Sequence, residues 1–158
     1  MEILQWDQEI LRQPTEDWDF SKDSHEELLK LIKDMKETMR SHEGAGLAAP
    51  QVGVSKSLFM IEIVKNSRYP ESKTLPFSVF INPKIIKVSR RTSYFVEGCL
   101  SVKGIQVGMT RPKSLVASWQ DEKGRKYKKK LKGMLARVFL HEYDHLQGFL
   151  ISDYVDEI

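Results

Sequence analysis

The chain of 158 residues is short of several things, and each shortage removes a class of explanation. It has a single cysteine, Cys99, so no internal disulfide can form. It has no apolar run near the ~18–20 residues that span a bilayer, so no membrane-crossing helix is expected. Its opening residues, Met1-Glu2-Ile3-Leu4-Gln5-Trp6-Asp7, lack the basic and apolar regions of a signal peptide. A cytoplasmic location without membrane attachment is therefore expected. There is no internal repeat and no low-complexity tract. The length suits one domain, expected over residues 1–158. Neither G-x-G-x-x-G nor a P-loop is present, which rejects nucleotide binding.

What is present is ordinary in bulk, with 41% hydrophobic and 30% charged residues. The net charge of +3 is local in origin. Of 25 basic residues, seven lie in 123–132: Lys123, Arg125, Lys126, Lys128, Lys129, Lys130 and Lys132. The remaining 18 face 22 acidic residues, a balance of −4. Such a segment is more often a solvated strand or hairpin face than a nucleic-acid contact, and no DNA binding is expected. Contact with RNA is the alternative reading.

Ser24 followed by Glu27 reads as a capping box. Leu28, Leu31, Ile32, Met35 and Met39 continue a helical stripe to a stop at Gly44, predicting a helix over 24–42. Residues 57–132 read as β-rich. Strands are expected at Ser57–Val64, Ser78–Ile81, Ile85–Val88, Gly104–Thr110, Ser114–Gln120 and Arg125–Leu131. Asn66–Pro76 reads as a loop, Asn82-Pro83 as a bend, and residues 121–124 as a hairpin turn. After Gly133 a buried helix is expected to run to about Gly148. Helix, strands, helix is an α+β pattern. The fold class expected is antiparallel β-sheets around a central helix, with a second helix near the N-terminus.

Three segments carry chemistry. His141-Glu142-Tyr143-Asp144-His145 is an H-E-x-x-H motif, whose imidazoles, four residues apart, share one helical face and can reach one ion. Glu142 can then approach water without ligating. A hydrolytic site needs three protein ligands and one open position. Downstream of His145 the only glutamate is Glu157, so Cys99 in Glu97-Gly98-Cys99-Leu100-Ser101 is the better third ligand. A thiolate binds first-row metals well, and Gly98 would let the backbone turn sharply to expose the sulfur. The third segment, residues 44–53 (GAGLAAPQVG), allows close backbone approach, and Gln51 offers an amide donor for an oxyanion.

Taken together, GAGLAAPQ at 44–51, EGCLS at 97–101 and HEYDH at 141–145 resemble the three motifs of peptide deformylase, in that family's order. The resemblance runs over almost the whole chain. It implies a hydrolase that removes the formyl group from the N-terminal formyl-methionine of nascent polypeptides and releases formate. It implies Cys99, His141 and His145 as metal ligands, Glu142 as general base and acid, and Gln51 with the Leu100 N–H as oxyanion donors. Gly46 would meet the substrate backbone, Glu97 and Gly98 would also belong to the substrate-binding residues, and Ala45, Phe95, Met134 and Val138 would line a methionine pocket. Glu97 would support the cysteine turn by pairing with Arg111, and Asp144 would support rather than ligate. The cofactor implied is one divalent ion, Fe2+ by family precedent, with Zn2+, Ni2+ or Co2+ able to replace it.

The chain departs from the family in two places. Many members carry an arginine where Gln106 falls, near the pocket rim. Many also continue into a long C-terminal helix that contacts the ribosome, whereas this chain ends at Ile158 and resembles the short forms of some phages. A monomer is expected, acting in a bacterial cell or in a phage host, with any ribosome contact transient. Two rivals compete with this reading. One is a zinc peptidase of the H-E-x-x-H type, which would not need Cys99. The other is a non-catalytic RNA-binding module built on residues 123–132.

Overall fold

The computed structural model describes residues 1–64 and 74–155. Ser24 opens the first helix, its Oγ accepting the Glu27 N–H at 3.2 Å. The helix, α1, spans His25–Ser41 and buries Leu28, Leu31, Met35, Thr38 and Met39, the face its apolar spacing predicts. It ends slightly before the expected stop, and the left-handed residue beyond it is Glu43 (φ 52°) rather than Gly44.

Seven strands follow: β1 (Gly46–Ala48), β2 (Leu58–Ile63), β3 (Leu75–Val88), β4 (Thr92–Cys99), β5 (Val102–Pro112), β6 (Ser114–Gln120) and β7 (Lys126–Lys132). The chain ends in α2 (Gly133–Leu146) and a 3-10 turn at Ile151–Tyr154. Five strands form one antiparallel sheet in the order β1-β2-β3-β6-β7, while β4 and β5 pair separately. The class is the expected α+β arrangement. Among the described residues, no helix is long and apolar enough to cross a membrane.

Three local expectations are corrected. The two short strands around Asn82-Pro83 are one strand of 14 residues, β3. Asn82 takes φ 51° inside it, and its side chain is held by the Trp18 N–H and carbonyl and by Gln120. The register with β6 slips there, so the bend is absorbed as a bulge. The expected loop at Asn66–Pro76 is mostly outside the described residues, but Leu75 and Pro76 already belong to β3. Gly98 lies within β4 and makes no left-handed turn. The sharp feature is a register break between Gly98↔Gln106 and Cys99↔Val102, where β5 carries three extra residues, 103–105.

The core positions α2. One layer joins α2 to the sheet, with Phe59, Phe80, Leu115, Ala117 and Leu131 meeting Ala136, Phe139 and Leu140. A second layer packs α1 on Leu47, Leu58, Met60 and Ile81, the alternate residues of the same strands. Phe139 stands edge-on to Phe59 (5.0 Å) and to Phe80 (5.3 Å) and is fully buried. Phe139→Ala is expected to cost about 3–5 kcal/mol of unfolding free energy in a urea titration, because the packed ring leaves a cavity behind.

Candidate metal centre and active site

Three elements converge on one cavity. Facing residues of α2 supply His141, Glu142 and His145, all on the turn whose other side is anchored by Phe139. The β4–β5 hairpin supplies Cys99 at its mouth, where the register break throws the sulfur toward the helix. The segment from β1 into the 3-10 turn at Ala49–Val52 supplies Gly46 and Gln51.

The Cys99 Sγ and one ring nitrogen each of His141 and His145 lie within 4.8 Å of one another, with Sγ to His145 Nε2 at 3.4 Å. Bonds of ~2.0–2.3 Å to a single ion span such a group with small side-chain rotations. Soft sulfur with two imidazoles is a donor set suited to iron, zinc, nickel or cobalt. Burial pushes the Cys99 thiol up, but the His145 and His141 imidazoles outweigh it and hold it well below the ordinary thiol range. That lowering favours the thiolate, the form that binds metals. Glu157 lies outside the described residues.

Glu142 is 2% exposed, and its Oε2 is buried without a hydrogen-bond partner among the described residues, as is His145 Nδ1. Its Oε1 stands 3.8 Å from His141 Nε2 and 4.0 Å from His145 Nε2. Burial raises its pKa, with the two imidazoles opposing. A carboxylate whose pKa is raised, with a free oxygen beside the ligand group, is suited to accept a proton and pass it on. Gly46 makes room for it: a Cβ there would meet the Glu142 Cγ and Cδ at 2.9 Å.

Glu97 holds the site together. Its carboxylate accepts Arg111 Nε (2.7 Å) and Nη2 (3.0 Å), Arg137 Nη1 (2.6 Å) and His141 Nδ1 (2.9 Å). Burial pushes its pKa up, but His141 and Arg111 outweigh this and lower it to about 2. The pairing of Glu97 with Arg111 is as expected, and Arg111 also reaches Asp144 at 3.0 Å. By occupying Nδ1 of His141, Glu97 turns Nε2 toward the cavity.

Gln51 is equally fixed. Its Oε1 accepts the Ala48 N–H at 2.9 Å, and its Nε2 donates to Ser101 Oγ at 3.0 Å with Cys99 Sγ at 3.8 Å. The N-terminal segment braces both loops: the Leu4 N–H donates to the Gln51 carbonyl (2.8 Å) and Gln5 Nε2 to the Leu100 carbonyl (3.0 Å). Ala45, Gly46, Gln51, Phe95, Glu97, Gly98, Cys99, Leu100, Met134, Val138, His141 and Glu142 all border the one cavity, so the sequence candidates are brought together, with His145 buried behind them. Ser101 stood in the EGCLS motif without an assigned role, and Arg137 and Gln5 were missed. Only Arg137 left a trace in the sequence, as a lone cation in an apolar helix that must find a buried partner.

The polypeptide deformylase family model matches residues 1–158. A peptide deformylase of Leptospira biflexa serovar Patoc is 41% identical over 152 residues, covering 96% of this chain and 85% of that protein. A probable peptide deformylase from Synechococcus phage S-SSM7 superposes with a TM-score of 0.86 at 36% identity, over 98% of this chain and 99% of that one. A class I type b peptide deformylase from Acinetobacter baumannii, crystallised with Met-Ala-Ser bound, superposes with a TM-score of 0.94 at 28% identity, over 98% of each chain.

Glu97→Gln leaves two buried guanidinium groups without their carboxylate. In the metal-free protein it is expected to cost about 3–5 kcal/mol at neutral pH. Because folding depresses the Glu97 pKa, its stabilisation is complete above the ordinary 4.5 and fades as pH falls toward about 2. Urea titrations should therefore show the gap between wild type and variant narrowing over that window. A gap independent of pH would contradict the assignment.

Proposed function

This chain belongs to the peptide deformylase family and is a metal-dependent hydrolase of N-formyl-methionyl peptides, and on that premise we propose the following division of labour among its residues. Cys99, His141 and His145 hold one divalent ion. Glu142 moves the proton. Gln51 and the Leu100 N–H receive the negative charge that develops on the formyl oxygen. The observation that carries this reading is a thiol, two imidazoles and an unpartnered buried carboxylate oxygen gathered at one cavity. The ion we assign is Fe2+, with Zn2+, Ni2+ or Co2+ compatible with the same donors. When bound, it supplies a Lewis acid that lowers the pKa of water.

The residues then act in sequence. Phe95, Met134, Val138 and Ala45 take up the methionine side chain, which fixes the formyl group beside the ligand cluster. A product-like tripeptide, Met-Ala-Ser, is bound in the Acinetobacter baumannii relative. Gly46 and Gly98 receive the peptide backbone through contacts that do not depend on sequence, as an enzyme for many nascent chains requires. Glu142 accepts a proton from the attacking water at Oε2 and delivers it to the departing amine nitrogen, so formate and a free Met-peptide leave. Gln51 is held by Ala48 and Ser101 before substrate arrives, so little reorganisation is needed as charge builds. Glu97, with both oxygens engaged, acts through His141 and the hairpin. The protein works as a monomer in the cytoplasm, in a bacterial cell or in a phage host.

The peptidase reading leaves Cys99 without a task, although its sulfur stands 3.4 Å from His145 Nε2. Two substitutions separate the roles. Glu142→Gln is expected to keep stoichiometric metal and lose about 10²–10⁴-fold in formate release from formyl-Met-Ala-Ser; normal turnover would refute its role. Cys99→Ser is expected to weaken metal binding sharply, read by elemental analysis of anaerobically purified protein. Unchanged metal content after dialysis against a chelator would remove the thiol from the ligand set.

A further inference from the structure

The basic stretch of the sequence becomes something more specific when folded. Across β6 and β7, Gln120 pairs with Lys126, Ser118 with Lys128, Val116 with Lys130 and Ser114 with Lys132. Paired residues share a face of a sheet. On β3, Lys84 pairs with Ser118 and Lys87 with Val116. Two complete rows therefore run across three strands, Lys84–Ser118–Lys128 and Lys87–Val116–Lys130, flanked by Lys126 and Lys132. All six lysines are exposed, and no carboxylate occupies a register position on this face. Lys84 approaches Asp17 at 3.4 Å, and none of the other five has an acidic partner among the described residues. The face lies opposite the one that carries α2, whose side is marked by Leu115, Ala117 and Leu131.

Protection of a sheet edge would account for lysines on β7, which is an edge strand. It does not account for Lys84 and Lys87, which lie on β3, two strands inward. Nor is the charge an overflow from a basic protein, since the chain outside 123–132 has more acidic than basic residues. Arg125 and Lys129 are excluded: Arg125 is bound to Asp121 at 2.8 Å, and Lys129 points to the other face, over Tyr127.

We propose that this lysine face, spanning β3, β6 and β7, is a docking surface for the phosphate backbone of RNA. Rows of cations on a rigid sheet, spaced about 6.6 Å apart along β7, suit a regularly charged polyanion. A membrane fits less well, because among the β6 and β7 residues of this face only Val116 is apolar, and on β3 Ile86 is the single large apolar side chain exposed between Lys84 and Lys87. The face also has a useful place. Lys132 ends β7 and Gly133 begins α2 with no linker, and Met134 borders the catalytic cavity. RNA held along β7 is thus held beside the site. The choice of RNA rests on the deformylase reading, since nascent chains emerge from an RNA-rich particle.

The test uses the full-length protein and purified ribosomal RNA, with binding followed by fluorescence anisotropy between about 50 and 200 mM KCl. The wild type should bind with a steep salt dependence. Lys126, Lys128, Lys130 and Lys132→Gln together should weaken binding at least tenfold. They should also reduce the slope of log K against log salt by about three, each lost phosphate contact contributing ~0.7–0.9. If that variant is poorly folded by circular dichroism, Lys128/Lys130→Gln replaces it and should lose more than Lys22/Lys33→Gln, an equal change of charge on exposed lysines elsewhere. Formate release from formyl-Met-Ala-Ser should be unchanged in every variant. That assay reports separately on the deformylase reading, which fails only if the wild type releases no formate. Absence of RNA binding by the wild type, or equal losses in the two double variants, would overturn the proposal. So would tighter binding to vesicles of phosphatidylcholine and phosphatidylserine than to RNA.

Discussion

A carboxylate taken out of water with three positively charged or hydrogen-donating partners is the constraint on which the rest of this structure turns. Glu97 sits on β4, Arg111 on β5, and Arg137 and His141 on α2. The four groups close a network that joins the two-stranded hairpin to the helix. The apolar residues of the hairpin, Cys99, Val102, Val107 and Met109, cluster instead with Leu11, Leu150 and Ile151, outside the helix. A buried charge is a poor source of net stability, because desolvation consumes much of the attraction. Its value here is geometric. It fixes how far the sulfur of one element stands from the imidazoles of another, and which nitrogen of His141 faces the cavity.

That arrangement explains why so few residues can be placed in more than one way. Phe139 locks the outer side of α2 into the sheet, Glu97 locks its inner side to the hairpin, and Gly46 allows β1 to lie against Glu142. Among the described residues, Glu142 Oε2 and His145 Nδ1 are the two buried side-chain polar atoms that these constraints leave without a partner. Two other side chains of the site are tied at several points: Gln51 through both ends of its amide, Arg137 through Glu97, the Ser93 carbonyl and the Met109 carbonyl. Such saturation is how an active site keeps its geometry before substrate arrives.

Much of this was legible in the sequence where one local rule acted alone. The α1 stripe, the Ser24 cap, the β6–β7 hairpin and the four-residue spacing of the histidines are periodicities that the fold obeys almost residue for residue. Legibility failed where tertiary partners overrode a local signal. Asn82-Pro83 reads as a break, yet Trp18 and Gln120 hold Asn82 inside a continuous strand. β4 went unrecognised because both its faces carry large apolar groups, Tyr94 and Val96 on one and Phe95 on the other, so no alternation marks it. β1 is three residues long and exists only because β2 pairs with it. Gly98 suggested a glycine turn, whereas the turn comes from extra residues on the opposite strand. Of the site, the three motifs named their own residues, but nothing local announces Gln5, whose partner lies 95 positions away.

The brace formed by residues 4 and 5 shows how distant residues acquire a shared purpose. Gln51 and Leu100 sit on separate loops that approach one another at the cavity. The donor pair proposed for the oxyanion lies on separate loops and is only as well placed as they are, and loops are the least constrained parts of a fold. Here the Leu4 N–H holds the carbonyl of Gln51 while the next side chain, Gln5, holds the carbonyl of Leu100. The two anchoring groups belong to adjacent residues, so the Leu4–Gln5 backbone and the Gln5 side chain together link the two loops. The Ser101 hydroxyl closes the circuit from the other side by accepting from Gln51. Charge stabilisation depends on donors that need not move as the charge appears, and under the proposed roles a segment with no chemistry of its own thereby holds the donors in place.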